Sequence, residues 1–268
     1  MPFLEEILPE IRRAVTDPRY GTGLPRAPTH SRSSLREALR ATRAGGSLVV
    51  EYKRVSPGQK EPVLPFRTVA EFVETTRPWA SAYSCLATPP RFRGSPNDVA
   101  ELVRATDRPV LFKDIVVDPR QVEVAARTGA SAVLLIARLF GGTGLPTRQL
   151  ASLAETAHRL GLEVVLEFHH RSELSRCADV AAEVYGVNAR DLDTLAIDRP
   201  TAEATLRDAD ARGLHPLLGL SGVEGAADAR RFWDHGADGI LVGTSIARAS
   251  DPARFLSELV RPSPKEFA

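Results

Sequence analysis

The sequence predicts an α/β chain that closes into a (β/α)8 barrel behind a helical extension. After residue 46, short β-branched apolar runs alternate with longer stretches of helical periodicity, eight times over. The runs are mostly apolar throughout, as strands are when a parallel sheet is covered on both faces. Their spacing of about 27 residues suits a closed barrel of about 250 residues. A doubly wound open sheet fits less well, because no GxGxxG follows the first run and such sheets usually stop near six strands.

The elements follow in order. Before the barrel, Phe3, Leu4, Ile7, Leu8, Ile11 and Val15 trace one face of a helix, and a second helix near 34 to 43 starts after a Ser-rich stretch that can cap it. Residues 17 to 33, rich in Pro, Arg, Gly and Ser, read as a connector. The strands are LVVEYK (48 to 53), SAYSCL (81 to 86), PVLFK (109 to 113), SAVLLI (131 to 136), EVVLEF (163 to 168), AEVYGVN (182 to 188), LLGLS (217 to 221) and GILVG (239 to 243). Helices are expected near 66 to 77, 95 to 106, 119 to 128, 147 to 160, 171 to 180, 200 to 211, 224 to 236 and 251 to 260. Residues 1–46 thus form an extension that packs on the barrel of residues 47–268, one structural domain in all.

Composition excludes several function classes. A chain of 268 residues, 43% hydrophobic and 26% charged, is neither disordered nor a disulfide miniprotein. Thirty-five basic and 34 acidic side chains leave a net charge of +1, so no overall field recruits nucleic acid or a membrane surface. The apolar runs are too short to span a bilayer, and the first helix carries Glu5, Glu6, Glu10, Arg12 and Arg13, unlike a signal peptide. A cytoplasmic protein is expected, a monomer or weak homodimer. Cys85 and Cys177 lack metal-ligand spacing and read as small core residues.

Only Lys53, Lys60, Lys113 and Lys265 among the basic residues are lysine, and Asn97 and Asn188 are the only asparagines. Either a thermophile or a GC-rich genome produces such a bias. In a chain that otherwise prefers arginine, a lysine inside an apolar segment offers what arginine lacks, an ammonium whose proton can leave near neutral pH.

Barrel active sites lie at the C-terminal ends of the strands. Strand one ends in Glu51, Tyr52 and Lys53; strand three in Lys113 and Asp114; strand five in Glu167, Phe168, His169 and His170; strand six in Asn188, Ala189 and Arg190. Lys53 and Lys113 read either as rim ion pairs with Glu51, Glu167 or Asp114, or as catalytic ammonium groups, and the arginine bias favours the second. Strands seven and eight end in Leu220, Ser221, Gly222 and in Gly243, Thr244, Ser245. Small residues there suit a phosphate, with Ser56 adding a hydroxyl; the alternative is two plain tight turns. Phe92 either lines an aromatic pocket or plugs the barrel top. His169 and His170 are adjacent and point to opposite sides of a strand, which disfavours a metal pair. GGTG at 141 to 144 lacks the lysine of a P-loop and reads as a turn.

The stretches EYKRVSP (51 to 57), FRGS (92 to 95), FKDIVVDPRQV (112 to 122), GASAVLLIARL (129 to 139), LGLEVVLEFHH (160 to 170), GVNARDLDTLAID (186 to 198), LSGV (220 to 223) and ADGILVGTSIAR (237 to 248) resemble indole-3-glycerol phosphate synthase. The resemblance implies a phosphate-binding barrel that closes the pyrrole ring of 1-(2-carboxyphenylamino)-1-deoxyribulose 5-phosphate, releasing carbon dioxide and water, in tryptophan biosynthesis. It makes Lys113 the general acid at the substrate ketone and Glu167 the general base of the dehydration, with Glu51 and Lys53 beside them. By the same resemblance Asn188 and Arg190 orient the anthranilate end and Ser56, Gly222, Gly243 and Thr244 hold the phosphate, while the reading of strand ends and loops adds Ser221 and Phe92 as substrate contacts. It implies a phosphorylated small-molecule partner and neither a metal nor an organic cofactor.

One departure falls inside the expected site. Leu220 stands where the family has a glutamate, which predicts lowered pKa values for both lysines. Ala87, Ile115 and His170 are smaller departures. The alternatives are a retuned barrel acting on a substituted anthranilate, a Schiff-base lyase of retro-aldol type using one of the lysines, and a non-catalytic paralogue that binds a phosphorylated metabolite.

Overall fold

The computed structural model describes residues 3–25, 33–41, 46–55, 65–141, 145–177 and 179–260. Eight parallel strands pair in sequence order and the last returns to the first, a closed TIM barrel. They are β1 Ser47–Tyr52, β2 Ala82–Leu86, β3 Val110–Lys113, β4 Ala132–Ile136, β5 Glu163–Phe168, β6 Val184–Asn188, β7 Leu217–Leu220 and β8 Gly239–Val242. Closure is seen in the register of β1, where Val49 pairs with Ala82 on one side and with Leu241 on the other. Every residue of β2, β4, β7 and β8 is buried, which is why these strands read as unbroken apolar runs.

Helices α3 Val69–Thr76, α4 Pro96–Ala105, α5 Pro119–Thr128, α6 Thr147–Arg159, α7 Arg171–Arg176, α8 Arg199–Ala211 and α9 Ala226–Asp234 alternate with the strands, and α10 Thr244–Arg248 and α11 Pro252–Leu259 follow β8. Local chemistry starts many of them. Thr68, Ser95, Asp118, Asp198 and Asp251 cap their helices through side-chain oxygens, and Asp118 with Gln121 forms a capping box. Two elements differ from expectation. Helix α7 stops at Arg176, short of residue 180, because Cys177 leaves helical geometry at φ −111° and ψ 19°. Helix α10 is too short to show a period in sequence. Among the described residues no helix is long and apolar enough to cross a membrane.

The N-terminal segment touches both ends of the barrel. In α1 Phe3–Thr16, Leu4, Ile7, Ile11 and Val15 join the main core, while Phe3 reaches the cavity at the C-terminal ends of the strands. Arg91, in the loop after β2, pairs with Glu6 at 3.0 Å and Glu10 at 2.7 Å. At the opposite end α2 Leu35–Ala41 starts on Glu163, the first residue of β5. The carboxylate accepts from the backbone N–H of Leu35 at 2.7 Å and of Arg36 at 3.1 Å, and it bonds the Ser34 hydroxyl at 2.5 Å.

Candidate active site

The C-terminal ends of the strands surround one cavity, lined by Glu51, Lys53, Phe92, Lys113, Glu167, Asn188, Arg190, Ser221, Gly222, Gly243 and Thr244. These are the expected site residues, brought together from seven segments, with one exception. Ser56 lies outside the described residues, as do residues 142–144 of the GGTG stretch.

The polar centre is built on Glu51. It is 3% exposed, and its two oxygens serve two lysines: Lys53 Nζ at 2.7 Å from Oε1 and Lys113 Nζ at 3.4 Å from Oε2. Burial opposes the charge on Glu51, but the two ammonium groups outweigh it and hold the carboxyl at about 2. The lysines divide. Burial of Lys53 prevails over its contact with Glu51 and lowers its pKa, helped by Lys113 and Arg190. Burial also opposes the charge on Lys113, but Glu51 and Glu167 together prevail and raise it. The expectation that both lysines are lowered beside Leu220 is therefore corrected for Lys113, which has two carboxylates in reach rather than one.

Glu167 faces this group from β5. It is 1% exposed, and burial raises its pKa despite Lys113 and Asn188. Asn188 donates from Nδ2 to Glu167 Oε1 at 3.1 Å while its own Oδ1 accepts the Arg190 backbone N–H at 2.9 Å, so the amide is fixed at both ends. The Arg190 side chain donates to the Leu195 carbonyl at 2.7 Å, tying the strand-six loop back on itself.

Asp114 is not a partner of either lysine, as the rim ion-pair reading allowed. It is buried and accepts from Thr88 Oγ1 at 2.6 Å, the Ile115 backbone N–H at 2.8 Å, Gln121 Nε2 at 2.9 Å and Tyr20 Oη at 3.4 Å. Burial still raises its pKa. The two histidines do part company: His170 caps α7 at the surface, and His169 is buried with Nε2 3.3 Å from Glu167 Oε1.

The strand-seven and strand-eight loops approach closely. Ser221 and Gly222 are both left-handed, at φ 63° and 76°. For Ser221 this is strained backbone at a cavity wall, worth roughly 1–2 kcal/mol. The Ser245 hydroxyl donates to the Val223 carbonyl at 2.5 Å and joins the two loops. At Gly243, just past β8, a Cβ would meet Glu51 Oε1 at 2.6 Å and Lys53 Nζ at 3.2 Å, so a side chain there would have to displace the ion group.

Leu220 is 1% exposed and lines the cavity; its Cδ1 leans over Gly186, where a Cβ would come within 2.8 Å. The opposite rim is aromatic: Phe3 meets Phe92 edge to face, with centroids 6.2 Å apart. Sequence reasoning missed Phe3 and Arg248 as cavity residues. Arg248 carried a usable signal, one helical turn past Thr244; Phe3 carried none, since its apolar face reads simply as core.

The arrangement offers one amine whose pKa is raised, a second whose pKa burial lowers, and a carboxylate of raised pKa, in a cavity with an aromatic rim. The model of the family described as indole-3-glycerol phosphate synthase matches residues 4–259. An indole-3-glycerol phosphate synthase of Methanopyrus kandleri is 37% identical over 260 residues, covering 96% of this chain and 97% of its own. That of a Parafrankia strain is 35% identical, covering 97% and 96%. Among solved structures, the tryptophan synthase α2β2 complex of Pyrococcus furiosus contains a chain with TM-score 0.57 at 17% identity, covering 80% of this chain and 98% of its own, a likeness of fold. On the family model and these relatives together, the chain belongs to the indole-3-glycerol phosphate synthase family.

Proposed function

We propose that this chain closes the pyrrole ring of 1-(2-carboxyphenylamino)-1-deoxyribulose 5-phosphate with loss of carbon dioxide and water. The observation that carries the reading is the buried group of Lys53, Glu51 and Lys113 facing Glu167 and Asn188 across one cavity. In the first step the ring carbon bearing the carboxylate attacks the ketone carbon. The carbonyl electron pair moves to oxygen, which takes a proton from Lys113, and the ring regains aromaticity as carbon dioxide leaves. Lys113 suits this role because it rests protonated, supplying a cation and a proton to the developing alkoxide.

In the second step the new hydroxyl leaves as water with a proton from Lys53, while Glu167 removes a proton from the methylene beside the nitrogen. Two protons are donated and one is returned, so one net proton comes from solvent. Raised basicity suits Glu167 to that abstraction, and a lowered pKa suits Lys53 to donation. Arg190 and Asn188 orient the anthranilate carboxylate, where a guanidinium fork matches the anion. Ser221 and Phe92 contact the substrate body, and Gly222, Gly243 and Thr244, with Ser56, receive the phosphate. The test is direct: with the carboxyphenylamino ribulotide, indole fluorescence develops, and absence of product at about micromolar enzyme overturns the reading.

A second reading rests on Lys53. A buried amine of lowered pKa is a competent nucleophile toward a carbonyl, forming an imine as water is lost. Borohydride trapping with a carbonyl substrate then adds mass at Lys53, and an unmodified protein removes this reading.

A further inference from the structure

His169 stands buried beside Glu167, with Nε2 3.3 Å from Glu167 Oε1, and the mechanism above leaves it unused. Its side chain is buried, and neither ring nitrogen makes a hydrogen bond; Glu167 Oε2 is likewise buried and unpartnered. Among the described residues, two carboxylate oxygens lie within 4.0 Å of the ring nitrogens. Nε2 is 3.3 Å from Glu167 Oε1, and Nδ1 is 4.0 Å from Glu173 Oε2. The second is beyond hydrogen-bond reach. It is also engaged already, because Glu173 Oε2 accepts the His169 backbone N–H at 2.7 Å while Oε1 faces Arg138 at 3.7 Å. A neutral imidazole must carry its hydrogen on one nitrogen, and of these two carboxylates only the one at Nε2 is close enough for a small rotation to complete the bond.

We infer that His169 is a positioning residue for Glu167, its neutral ring carrying the hydrogen on Nε2 and donating it to Glu167 Oε1. The inference rests on the reading of Glu167 as the base. With Asn188 Nδ2 already on Oε1, the second donor pins that oxygen and fixes the orientation of the carboxylate. Catalytic hydrogen bonds are often loose without substrate and tighten when it binds, which fits a contact at 3.3 Å. The charged neighbours agree. His169 faces Arg138 from the segment after β4, Lys113 from β3, Asp191 from the strand-six loop, Glu167 on its own strand and Glu173 from α7. Burial first, then Arg138 and Lys113, keep the ring uncharged against Asp191. Glu167 in turn faces Lys113, Asn188, Glu173 and Glu51.

The experiment combines tautomer and kinetics. Nitrogen-15 NMR of the wild type, with the His169 signal assigned by its loss in His169→Gln, is expected to show a neutral ring protonated on Nε2 between about pH 6 and 9. A ring protonated on Nδ1, or charged at neutral pH, overturns the inference. This measurement needs no turnover, so it decides the matter even if the synthase assay fails. His169→Gln places an amide N–H near the Nε2 position and is expected to keep kcat within about threefold. His169→Asn places it near Nδ1 and is expected to lose about 10–100-fold in kcat, with KM within about threefold. In the Asn variant the acid limb of kcat moves up by about one pH unit, because the carboxylate loses a donor to its charged form. Equal losses in both variants with an unmoved acid limb would show a packing role only.

Discussion

Lys53 and Lys113 touch the same carboxylate and yet differ, because only Lys113 also feels Glu167. That difference makes Lys113 the amine that holds its proton more tightly. Lys113→Arg keeps the cation and removes the transferable proton, since a guanidinium stays charged at any working pH. Turnover is expected to fall by about a thousandfold or more while calorimetric binding of inorganic phosphate stays within about threefold; unchanged turnover would remove Lys113 from the mechanism. Leu220 lines the same cavity as both lysines. A glutamate in its place restores the carboxylate that the family carries there, so Leu220→Glu is expected to raise kcat/KM with the carboxyphenylamino ribulotide by about tenfold. A decrease in the same steady-state assay would mark a pocket organised around the leucine. The candidate residues themselves were legible, because strand-end position and the scarcity of lysine single them out. Their charge states were not, since these depend on how many carboxylates each ammonium meets in space.

At the scale of elements, the strands read almost to the residue because continuous apolar runs are the direct signature of a covered parallel sheet. The short pieces did not: α7 ends early at Cys177 and α10 spans only Thr244–Arg248, too little for a period. The docking of α2 was also invisible, since the residue that receives it, Glu163, lies more than a hundred positions away. Glu163 does for α2 what a capping side chain does locally, satisfying two leading N–H groups and the Ser34 hydroxyl together. Glu163→Ala removes all three bonds and is expected to lower the unfolding free energy by about 1–3 kcal/mol in urea titration. Turnover per folded molecule should not change, because Glu163 sits at the end of the barrel opposite the cavity. A variant as stable as the wild type would show that α2 is held by its buried Leu35 and Leu39 alone.

Over the whole molecule, closure was legible as an eightfold rhythm, whereas ties such as Tyr20 to Asp114 join segments that no periodicity relates. A net charge of +1 likewise conceals how many ionisable groups the barrel holds out of water. Those groups oppose one another with pH. Glu167 and Asp114 are raised, so each contributes stability that is full below its ordinary carboxyl range and is lost as pH rises through its folded value. Glu51 and His169 act the other way. Glu51, held at about 2, loses its contribution only in strong acid, as pH falls from the ordinary carboxyl range through that value. His169 acts in a milder window. Its folded pKa, about 3, lies below the 6.5 of a free imidazole, so between those values the unfolded chain holds the extra proton. Stability from this residue is therefore full above 6.5 and declines as pH falls toward 3. From about pH 7.5 to pH 5 the decline amounts to about 2 kcal/mol, at 1.36 kcal/mol per unit. Urea unfolding of wild type and His169→Gln at both pH values isolates the effect, because glutamine does not titrate and every other group is shared. The wild type is expected to lose about 2 kcal/mol more than the variant on acidification. Equal losses would mean that the ring is protonated in the folded barrel and that burial does not exclude its charge.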